Sequence, residues 1–196
     1  MKILLETSAR HIHLSKQDLE TLFGAGAKLN HRKDLSQPGE YVCEEKVDIV
    51  GPKRTLAGVS VVGPCRKESQ VEVALTDART LGIDVPVRQS GALEGSQGCT
   101  LVGPAGKVEL KEGLIAAQRH IHATPCDAAE MGIKDKDVVC IKVDGTGRSG
   151  ILCDFFVRVH PNFKTLAHID TDEANALGIR GEAYGEVVAA CNKCSF

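Results

Sequence analysis

Short runs that alternate polar and apolar residues, or that are rich in Val and Ile, recur along this chain and predict many short β-strands. The run at residues 70–74 is the clearest, because its side chains alternate with the period of a strand buried on one face only. Most of the runs end at turns that contain Gly or Pro, as expected for a mainly β protein. Strands are predicted at residues 1–14, 47–50, 59–62, 70–74, 138–143, 151–159 and 186–190.

Short helices are predicted between these strands from their capping residues. One helix follows Ser15 and another follows Thr124, and both residue types accept hydrogen bonds from the first turn of a helix. Two more helices are predicted around residues 76–82 and 171–177. Residues 24–46, which are rich in glycine and charge, are predicted to form a loop.

Charge and composition exclude several classes of function. The formal net charge of −2 provides no basic field, so binding to nucleic acid or to an anionic membrane is not expected. No apolar run approaches the roughly 18–20 residues that a membrane span needs. The first residues become polar too soon for a secretion signal, which predicts a cytoplasmic protein.

The eight cysteines are dispersed along a chain of 196 residues. In a chain of this size they are interpreted as buried or free thiols of a reducing cytoplasm, not as a disulfide framework. Cys191 and Cys194 form a C-x-x-C pair with no second pair at the spacing of a zinc finger. A metal or redox role for that pair is the alternative to thiols of a mobile tail.

The stretch Arg-His-Ile-His occurs twice, at residues 10–13 and 119–122. Side chains on a strand alternate between its two faces, so His11 and His13 point the same way, as do His120 and His122. Two imidazoles on one strand face make half of a metal site. The duplication indicates two half-sites that derive from one ancestral unit.

A second feature of the repeat supplies a third candidate ligand in each half. The segments Leu-Gly-Ile at 81–83 and 177–179 align at an offset of 96, and this register places Glu72 on His168. Each half then offers three nitrogen or oxygen ligands, a set that suits Zn²⁺, with Co²⁺, Mn²⁺ and Fe²⁺ as alternatives. Three protein ligands leave one position open, as in catalytic zinc sites. Two Zn²⁺ with one glutamate and five neutral imidazoles carry about +3, which favours an anionic substrate such as phosphate.

Arg66 is the candidate phosphate-binding residue. On a regular strand it would share one face with Gln70 and Glu72, and a guanidinium there would bind phosphate through two hydrogen bonds. A solvated basic turn with Lys67 is the alternative. Arg158 is a candidate second anion contact or an ordinary surface residue.

Other motifs provide weaker evidence of function. The glycine-rich run at 145–150 matches G-x-G-x-x-G, but a β-type run follows it where a nucleotide site requires a helix. Arg10 and Arg119 point away from the histidine face and are interpreted as structural. His31 and His160 have no counterpart in the repeat and are interpreted as ordinary histidines.

Together these residues resemble the propanediol-utilization-type phosphotransacylases, which are zinc-dependent phosphate acyltransferases. The resemblance runs nearly end to end. The stretches that carry it lie at residues 8–15, 63–67, 76–79, 88–91, 119–122 and 168–175.

The resemblance implies the reaction acyl-CoA plus phosphate giving acyl phosphate plus CoA, with acetyl or propionyl as the acyl group. It also implies two pseudo-symmetric small β-barrels with short capped helices and a di-metal active site between them. Residues 1–115 and 116–196 are the two predicted units, and terminal strands can be exchanged between the barrels. By resemblance, Arg66 is catalytic, two Zn²⁺ are held, CoA is a substrate or product, and substrate contacts come from Ser8, Gln70, Arg158 and Asn175. The implied metal ligands are His11, His13, Glu72, His120, His122 and His168.

Some members of that family carry an N-terminal extension that targets them to bacterial microcompartments. Only ten residues precede His11 here, which favours a cytoplasmic enzyme. Two other functions stay open: a di-zinc metallohydrolase that works without CoA, and a non-enzymatic β-barrel binding module suggested by the turn and strand at residues 132–139. The acyl preference, a possible homo-oligomer and the assignment of the six ligands to the two metal ions are not determined by the sequence.

Overall fold

The computed structural model describes residues 1–188, so the Cys191 and Cys194 pair lies outside the described residues. Among residues 1–188 strands dominate, as the alternating runs predict, and the four helices are short. The helices are α1 (Lys16–Phe23), α2 (Leu75–Leu81), α3 (Pro125–Met131) and α4 (Thr171–Ala176). The strands are β1 (Lys2–Ser8), β2 (His11–His13), β3 (His31–Asp34), β4 (Tyr41–Val50), β5 (Thr55–Gly63), β6 (Gln70–Glu72), β7 (Val87–Arg88), β8 (Gln97–Val102), β9 (Lys107–Ala117), β10 (His120–Ala123), β11 (Val138–Val143), β12 (Gly150–Val159), β13 (Leu166–Asp170) and β14 (Ala183–Val188).

The first barrel lies within the compact unit Ala9–Ala117. Its ring runs β4, β5, β2, β6, β9, β8 and back to β4. The pairs β5–β2 and β6–β9 are parallel, and the other four pairs are antiparallel. Closure of the ring leaves none of these six strands as an open edge.

The second barrel has the same ring order, β11, β12, β10, β13, β1, β14 and back to β11, with parallel pairs at the same two places. Among the described residues, its compact unit joins Met1–Ser8 to residues 118–188. Each barrel is therefore a copy of one architecture, and two barrels are confirmed. The unit boundary follows residue 117, and residues 1–8 belong with the second half of the chain, which differs from the predicted division after residue 115.

Each barrel buries the isoleucine between its two histidines. Ile12 and Ile121 are fully buried, each within the apolar core of its own barrel. Truncating either to Ala would cost about 2–5 kcal/mol of stability. Because neighbouring side chains on a strand point in opposite directions, this burial turns both histidines of each pair away from the barrel core.

Three sequence predictions were wrong. Residues 1–14 form two strands, β1 and β2, that belong to different barrels. Residues 24–46 contain β3 and the start of β4, not a loop alone. Cys140 and Cys153 form a disulfide between the neighbouring strands β11 and β12, where free thiols were expected.

None of the helices in residues 1–188 is long and apolar enough to cross a membrane.

Candidate functional site

The first candidate ligand set is built by the antiparallel pair β2 and β6. His11 lies directly opposite Glu72 in this ladder, and His13 lies opposite Gln70. Glu72 Oε2 is 3.6 Å from His11 Nε2, and Glu72 Oε1 is 3.9 Å from His13 Nε2. The three side chains bring one possible ligand atom each within 4.8 Å of one another, a spacing that can hold a metal ion.

The second candidate set is built by the equivalent pair β10 and β13. His120 lies opposite His168 in that ladder. The ring centroids of His120 and His168 are 4.8 Å apart, and those of His122 and His168 are 5.1 Å apart. Their ligand atoms also lie within 4.8 Å of one another. All six residues that the sequence singled out are thus grouped in two sets of three, one set in each barrel.

Backbone carbonyls fix the orientation of three of the imidazoles. The Nδ1 atoms of His11, His13 and His120 lie 2.8, 3.2 and 2.9 Å from the carbonyl oxygens of Ala9, Val62 and Gln118. An Nδ1–H donated to a carbonyl leaves the Nε2 lone pair free for a cation, which is the usual second contact of a metal-binding histidine. Buried His122 Nδ1 finds no hydrogen-bond partner among the described residues, and a metal ion would satisfy it.

The electrostatics favour the protonation states that metal binding needs. Burial, followed by the charges of His11 and Arg66, lowers the pKa of His13 to about 3. Burial, followed by His120 and His168, lowers the pKa of His122 to about 2. Both rings are therefore neutral near pH 7, as ligands must be.

Glu72 is held as a carboxylate by its surroundings. Burial by itself raises its pKa, but His11, His13, a hydrogen bond from Ser90 and the charge of Arg66 outweigh burial and lower the pKa to about 2. Glu72 Oε1 accepts hydrogen bonds from Gln70 Nε2 at 2.5 Å and from Ser90 Oγ at 2.9 Å. Because Oε1 is held in this way, Oε2 is the atom directed towards His11.

Arg66 reaches the same network through Ser90. Its Nη1 donates to Ser90 Oγ at 3.0 Å, and its Nη2 lies 3.6 Å from Glu40 Oε1. Arg66 does not lie on one strand with Gln70 and Glu72, as the sequence predicted, because β6 begins only at Gln70. The guanidinium nevertheless lies one hydroxyl group away from the Glu72 carboxylate, with about a third of its side chain exposed.

Ser90 is the residue of this network that the sequence reasoning missed. Besides its contacts with Arg66 and Glu72, its hydroxyl accepts a hydrogen bond from Gln70 Nε2 at 2.9 Å. Gln70 is itself buried, and its Oε1 accepts from the backbone N–H of Gly91 at 2.8 Å. The loop after β7 therefore holds Gln70 and Glu72 together. Ser90 lies in the stretch 88–91, which is one of those that carry the family resemblance, and this resemblance was the sequence feature that could have indicated its role.

The remaining predicted substrate contacts lie in the second barrel, at different distances from its ligand set. Ser8 Oγ is 3.5 Å from His168 Nδ1. Arg158 on β12 lies opposite His122 in the sheet, and its charge helps to lower the pKa of that histidine. Asn175 is an exposed residue of α4 whose carbonyl oxygen accepts from Arg148 Nη1 at 3.4 Å. Ser8 and Arg158 thus adjoin the second set, whereas Asn175 is placed on a helix surface.

The arginines before the two histidine pairs form equivalent ion pairs. Arg10 contacts Asp77 at 2.8 Å, and Arg119 contacts Glu173 at 2.6 Å. These contacts agree with the structural interpretation of both arginines. Exposed His31 contacts Asp34.

His160 has a backbone counterpart in the repeat, contrary to the sequence prediction. The His160 N–H donates to the Ala123 carbonyl, just as the Arg66 N–H donates to the Leu14 carbonyl in the first barrel. His160 is thus the backbone counterpart of Arg66.

Two closed barrels that each carry a three-residue cluster of candidate metal ligands define the class of this protein: a duplicated β-barrel with paired candidate metal centres. The model of the phosphate propanoyltransferase family matches residues 4–180. The phosphate propanoyltransferase of Enterococcus faecalis is 49% identical to this chain over 94% of the chain and 87% of that protein. Those of Clostridioides difficile and Thermotoga maritima are 51% and 50% identical, over 95% and 89% of this chain and 88% and 83% of those proteins. The chain belongs to this family of phosphate acyltransferases.

Proposed function

We propose that the protein transfers the acyl group of acetyl-CoA or propionyl-CoA to inorganic phosphate, and that it requires two zinc ions to do so. The observation that carries the proposal is the presence of two ligand sets. In each set three possible ligand atoms lie within 4.8 Å of one another. Both sets serve this one reaction, as the family resemblance implies. The reaction breaks the thioester C–S bond and forms a C–O bond to phosphate, which gives acyl phosphate and the CoA thiol.

The donor sets fit zinc. Five imidazoles and one carboxylate are nitrogen and oxygen ligands that zinc accepts, and three ligands per set are the number found in catalytic sites. Bound zinc would supply positive charge for phosphate, for the oxyanion that develops on the thioester carbonyl and for the departing thiolate. His11, His13 and Glu72 would hold one ion, and His120, His122 and His168 the other.

Arg66 binds and orients phosphate in this proposal. Its guanidinium presents two N–H groups in a plane that matches two oxygens of a phosphate, and phosphate would replace the long contact with Glu40 at 3.6 Å. Fixing the phosphate oxygen against the thioester carbonyl converts an encounter in solution into a reaction between positioned groups. The hydrogen bond to Ser90 keeps the guanidinium in place, and the hydrogen bond from Gln70 does the same for the Glu72 carboxylate. Ser8 and Arg158 are proposed as further phosphate contacts, and Asn175 as a contact to CoA.

We propose that phosphate attacks the thioester directly, without an acyl-enzyme. No cysteine belongs to either ligand set among residues 1–188. Transfer through a cysteine would leave an acylated enzyme after incubation with acyl-CoA in the absence of phosphate. Intact-mass measurement under those conditions is expected to show the unmodified chain.

One assay tests the reaction against its rivals. The purified protein is incubated with acetyl-CoA or propionyl-CoA, with and without phosphate, while free thiol and protein-bound zinc are measured. Thiol release that depends on phosphate, with two zinc ions per chain, is expected. Release without phosphate would instead support the metallohydrolase. The absence of both release and bound zinc would leave the binding module. The ratio of the two kcat/KM values gives the acyl preference.

Cytoplasmic location and self-association are further parts of the proposal. Neither nucleic acid nor a membrane surface is proposed as a partner, since the net charge of −2 offers no basic field. Cell fractionation and light scattering of the purified protein test these two points.

A further inference from the structure

The same three-residue polar contact occurs once in each barrel, directly beyond the histidine pair. In the first barrel, Ser69 Oγ accepts from the backbone N–H of Ser15 at 2.9 Å and donates to Asp18 Oδ2 at 2.5 Å. Asp18 Oδ2 also accepts from Ser15 Oγ at 2.9 Å. We call Ser15, Asp18 and Ser69 the first clamp.

The second clamp consists of Thr124, Asp127 and Thr165. Thr165 Oγ1 accepts from the backbone N–H of Thr124 at 3.0 Å and donates to Asp127 Oδ2. Asp127 Oδ2 also accepts from Thr124 Oγ1 at 2.9 Å. The hydrogen bonds to Thr165 and then Thr124 lower the pKa of Asp127, so its carboxylate is charged near neutral pH. Every bond of the first clamp thus has its equivalent in the second.

Each clamp joins the two strands that carry a ligand set. Ser15 follows His13 by two residues, and Ser69 precedes Glu72 by three. Thr124 follows His122 by two residues, and Thr165 precedes His168 by three. Because β2 runs antiparallel to β6, and β10 antiparallel to β13, each clamp closes the ladder at the end where the histidine strand finishes and the other strand starts.

Helix capping alone does not account for these contacts. In α2 and α4 the third residue of the helix accepts directly from the N–H of the capping residue, as Glu173 does from Asp170 at 2.9 Å. In α1 and α3 that N–H donates instead to the hydroxyl of the residue just before β6 or β13, and this hydroxyl donates to the helix aspartate. The Ser15 and Thr124 side chains already cap their helices, since each accepts from the N–H of its aspartate at 3.1 Å. Ser69 and Thr165 are therefore additional ties between strands.

The ladders need such ties because they are short. β2 and β6 are three residues long, and only three residue pairs join them. A slip of one residue would turn every side chain of a strand to the opposite face, which would move Glu72 away from His11. In the first barrel the same segment also holds Arg66, because the Arg66 N–H donates to Leu14 at 2.9 Å and Arg66 pairs with Ser15 in a parallel bridge.

We propose that the two clamps are positioning devices that set the register of the ligand strands and thereby the affinity of each ligand set for its metal ion. Ser69 and Thr165 are the positioning residues, each acting through the strand that carries the third ligand. The inference rests on the proposed function, in which the two sets hold zinc.

The test is a titration of metal-free protein with Zn²⁺ in competition with a chromophoric chelator. Ser69→Ala is expected to weaken one of the two zinc equivalents about tenfold or more, in the range of lost supporting contacts around a metal, and to leave the other unchanged. Thr165→Val is expected to weaken binding of the other zinc ion by a similar factor and to leave the first unchanged. Ser69→Thr and Thr165→Ser exchange the hydroxyl residues of the two barrels, and both are expected to restore wild-type affinity.

Ser96→Ala is the matched control for loss of a buried hydroxyl in the same barrel. Ser96 Oγ donates to the Leu93 carbonyl at 2.6 Å and accepts from the Gly113 N–H at 2.8 Å. This variant is expected to lower the Tm of the metal-free protein and to leave both zinc affinities unchanged. If a hydroxyl deletion does not fold, Asp18→Asn or Asp127→Asn replaces it, because the amide keeps the size but attracts the hydroxyl proton less.

Two negative results have different meanings. Hydroxyl deletions that lower the Tm of the metal-free protein as Ser96→Ala does, and leave both zinc affinities unchanged, would overturn the positioning role alone. A wild-type protein that binds no zinc would overturn the proposed function, and this inference with it.

Discussion

Glu72 lies directly across from His11 in the β2–β6 ladder, with its Oε2 atom 3.6 Å from His11 Nε2. In the second barrel the same place is taken by His168, across from His120. The two candidate metal sites therefore have one backbone framework but differ by one formal charge. A site that includes a carboxylate compensates part of the charge of a divalent cation, and one made of three neutral imidazoles does not.

The charge difference predicts the behaviour of Glu72→Gln. This variant keeps the size of the side chain and the hydrogen bonds that Oε1 accepts, but it removes the charge. The affinity for one of the two zinc ions is therefore expected to fall at least about tenfold. Turnover is expected to fall together with this affinity, and the second zinc ion is expected to stay bound. Zinc content after dialysis against a chelator measures the effect. Glu109→Gln, which alters an exposed glutamate of the same barrel, is the control; equal zinc retention in both variants would refute the role of Glu72.

Arg66→Ala is expected to lower turnover at least ~10²-fold, because a guanidinium that stabilises charge in the transition state contributes this much when it is removed. Zinc content is expected to stay at the wild-type value, since Arg66 is not a ligand in either set. Arg66→Lys keeps the charge but loses the two-pronged contact, and an intermediate rate is expected. Initial rates of thiol release at saturating phosphate measure the change. Arg54→Ala, at an exposed turn, is the control, and near-normal turnover in Arg66→Ala would remove Arg66 from the mechanism.

Ser90→Ala tests the hydroxyl group that connects Arg66 to Glu72. Removing it deletes hydrogen bonds to two charged groups, which corresponds to about 1.5–3 kcal/mol per bond, so kcat/KM for phosphate is expected to fall roughly tenfold or more. The loss is expected mainly in the KM for phosphate, because the guanidinium loses its orientation and not its charge. Ser90→Thr keeps the hydroxyl and is expected to recover most of the activity. Equal KM values for wild type and Ser90→Ala would show that the contact has no part in phosphate binding.

The grouping of the candidate ligands could be predicted from the sequence because it depends on local periodicity. Alternation along a strand fixes the side of His11 and His13, and buried Ile12 between them shows that the alternation holds. The match of Glu72 with His168 needed only an offset of 96 in the repeat, and the ladders place both residues opposite the first histidine of their set.

Features that depend on contacts distant in sequence could not be predicted in this way. Ser90 reaches Arg66 across 24 residues, and no period in the sequence indicates that contact. Strand β3 was missed because all four of its residues are exposed, so it has no apolar face to reveal it. The exchange of β1 into the second barrel could not be predicted for a different reason: an alternating strand does not show which sheet it joins.

The buried histidines predict that the metal-free protein loses stability as the pH falls. The pKa of His13 is about 3 and that of His122 about 2 in the folded chain, against 6.5 when unfolded, so below about pH 6.5 the unfolded chain binds protons that the folded chain cannot. The free energy of unfolding is therefore expected to decrease from pH ~7 to pH ~5 by up to about 1.4 kcal/mol per pH unit for each histidine. The pKa of Glu72 is also lowered, but its contribution is lost only at lower pH, near the usual range of a carboxyl group.

Urea denaturation of the metal-free protein across this pH range measures the slope. His13→Asn removes one titrating ring and is expected to reduce the slope of the unfolding free energy against pH by the contribution of that histidine. His31→Asn alters an exposed ring and is expected to leave this slope unchanged. Bound zinc should steepen the loss, because protons then compete with the metal for the same nitrogen atoms. A free energy of unfolding that stays constant from pH ~7 to pH ~5 in the metal-free wild type would contradict the burial of neutral imidazoles in both ligand sets.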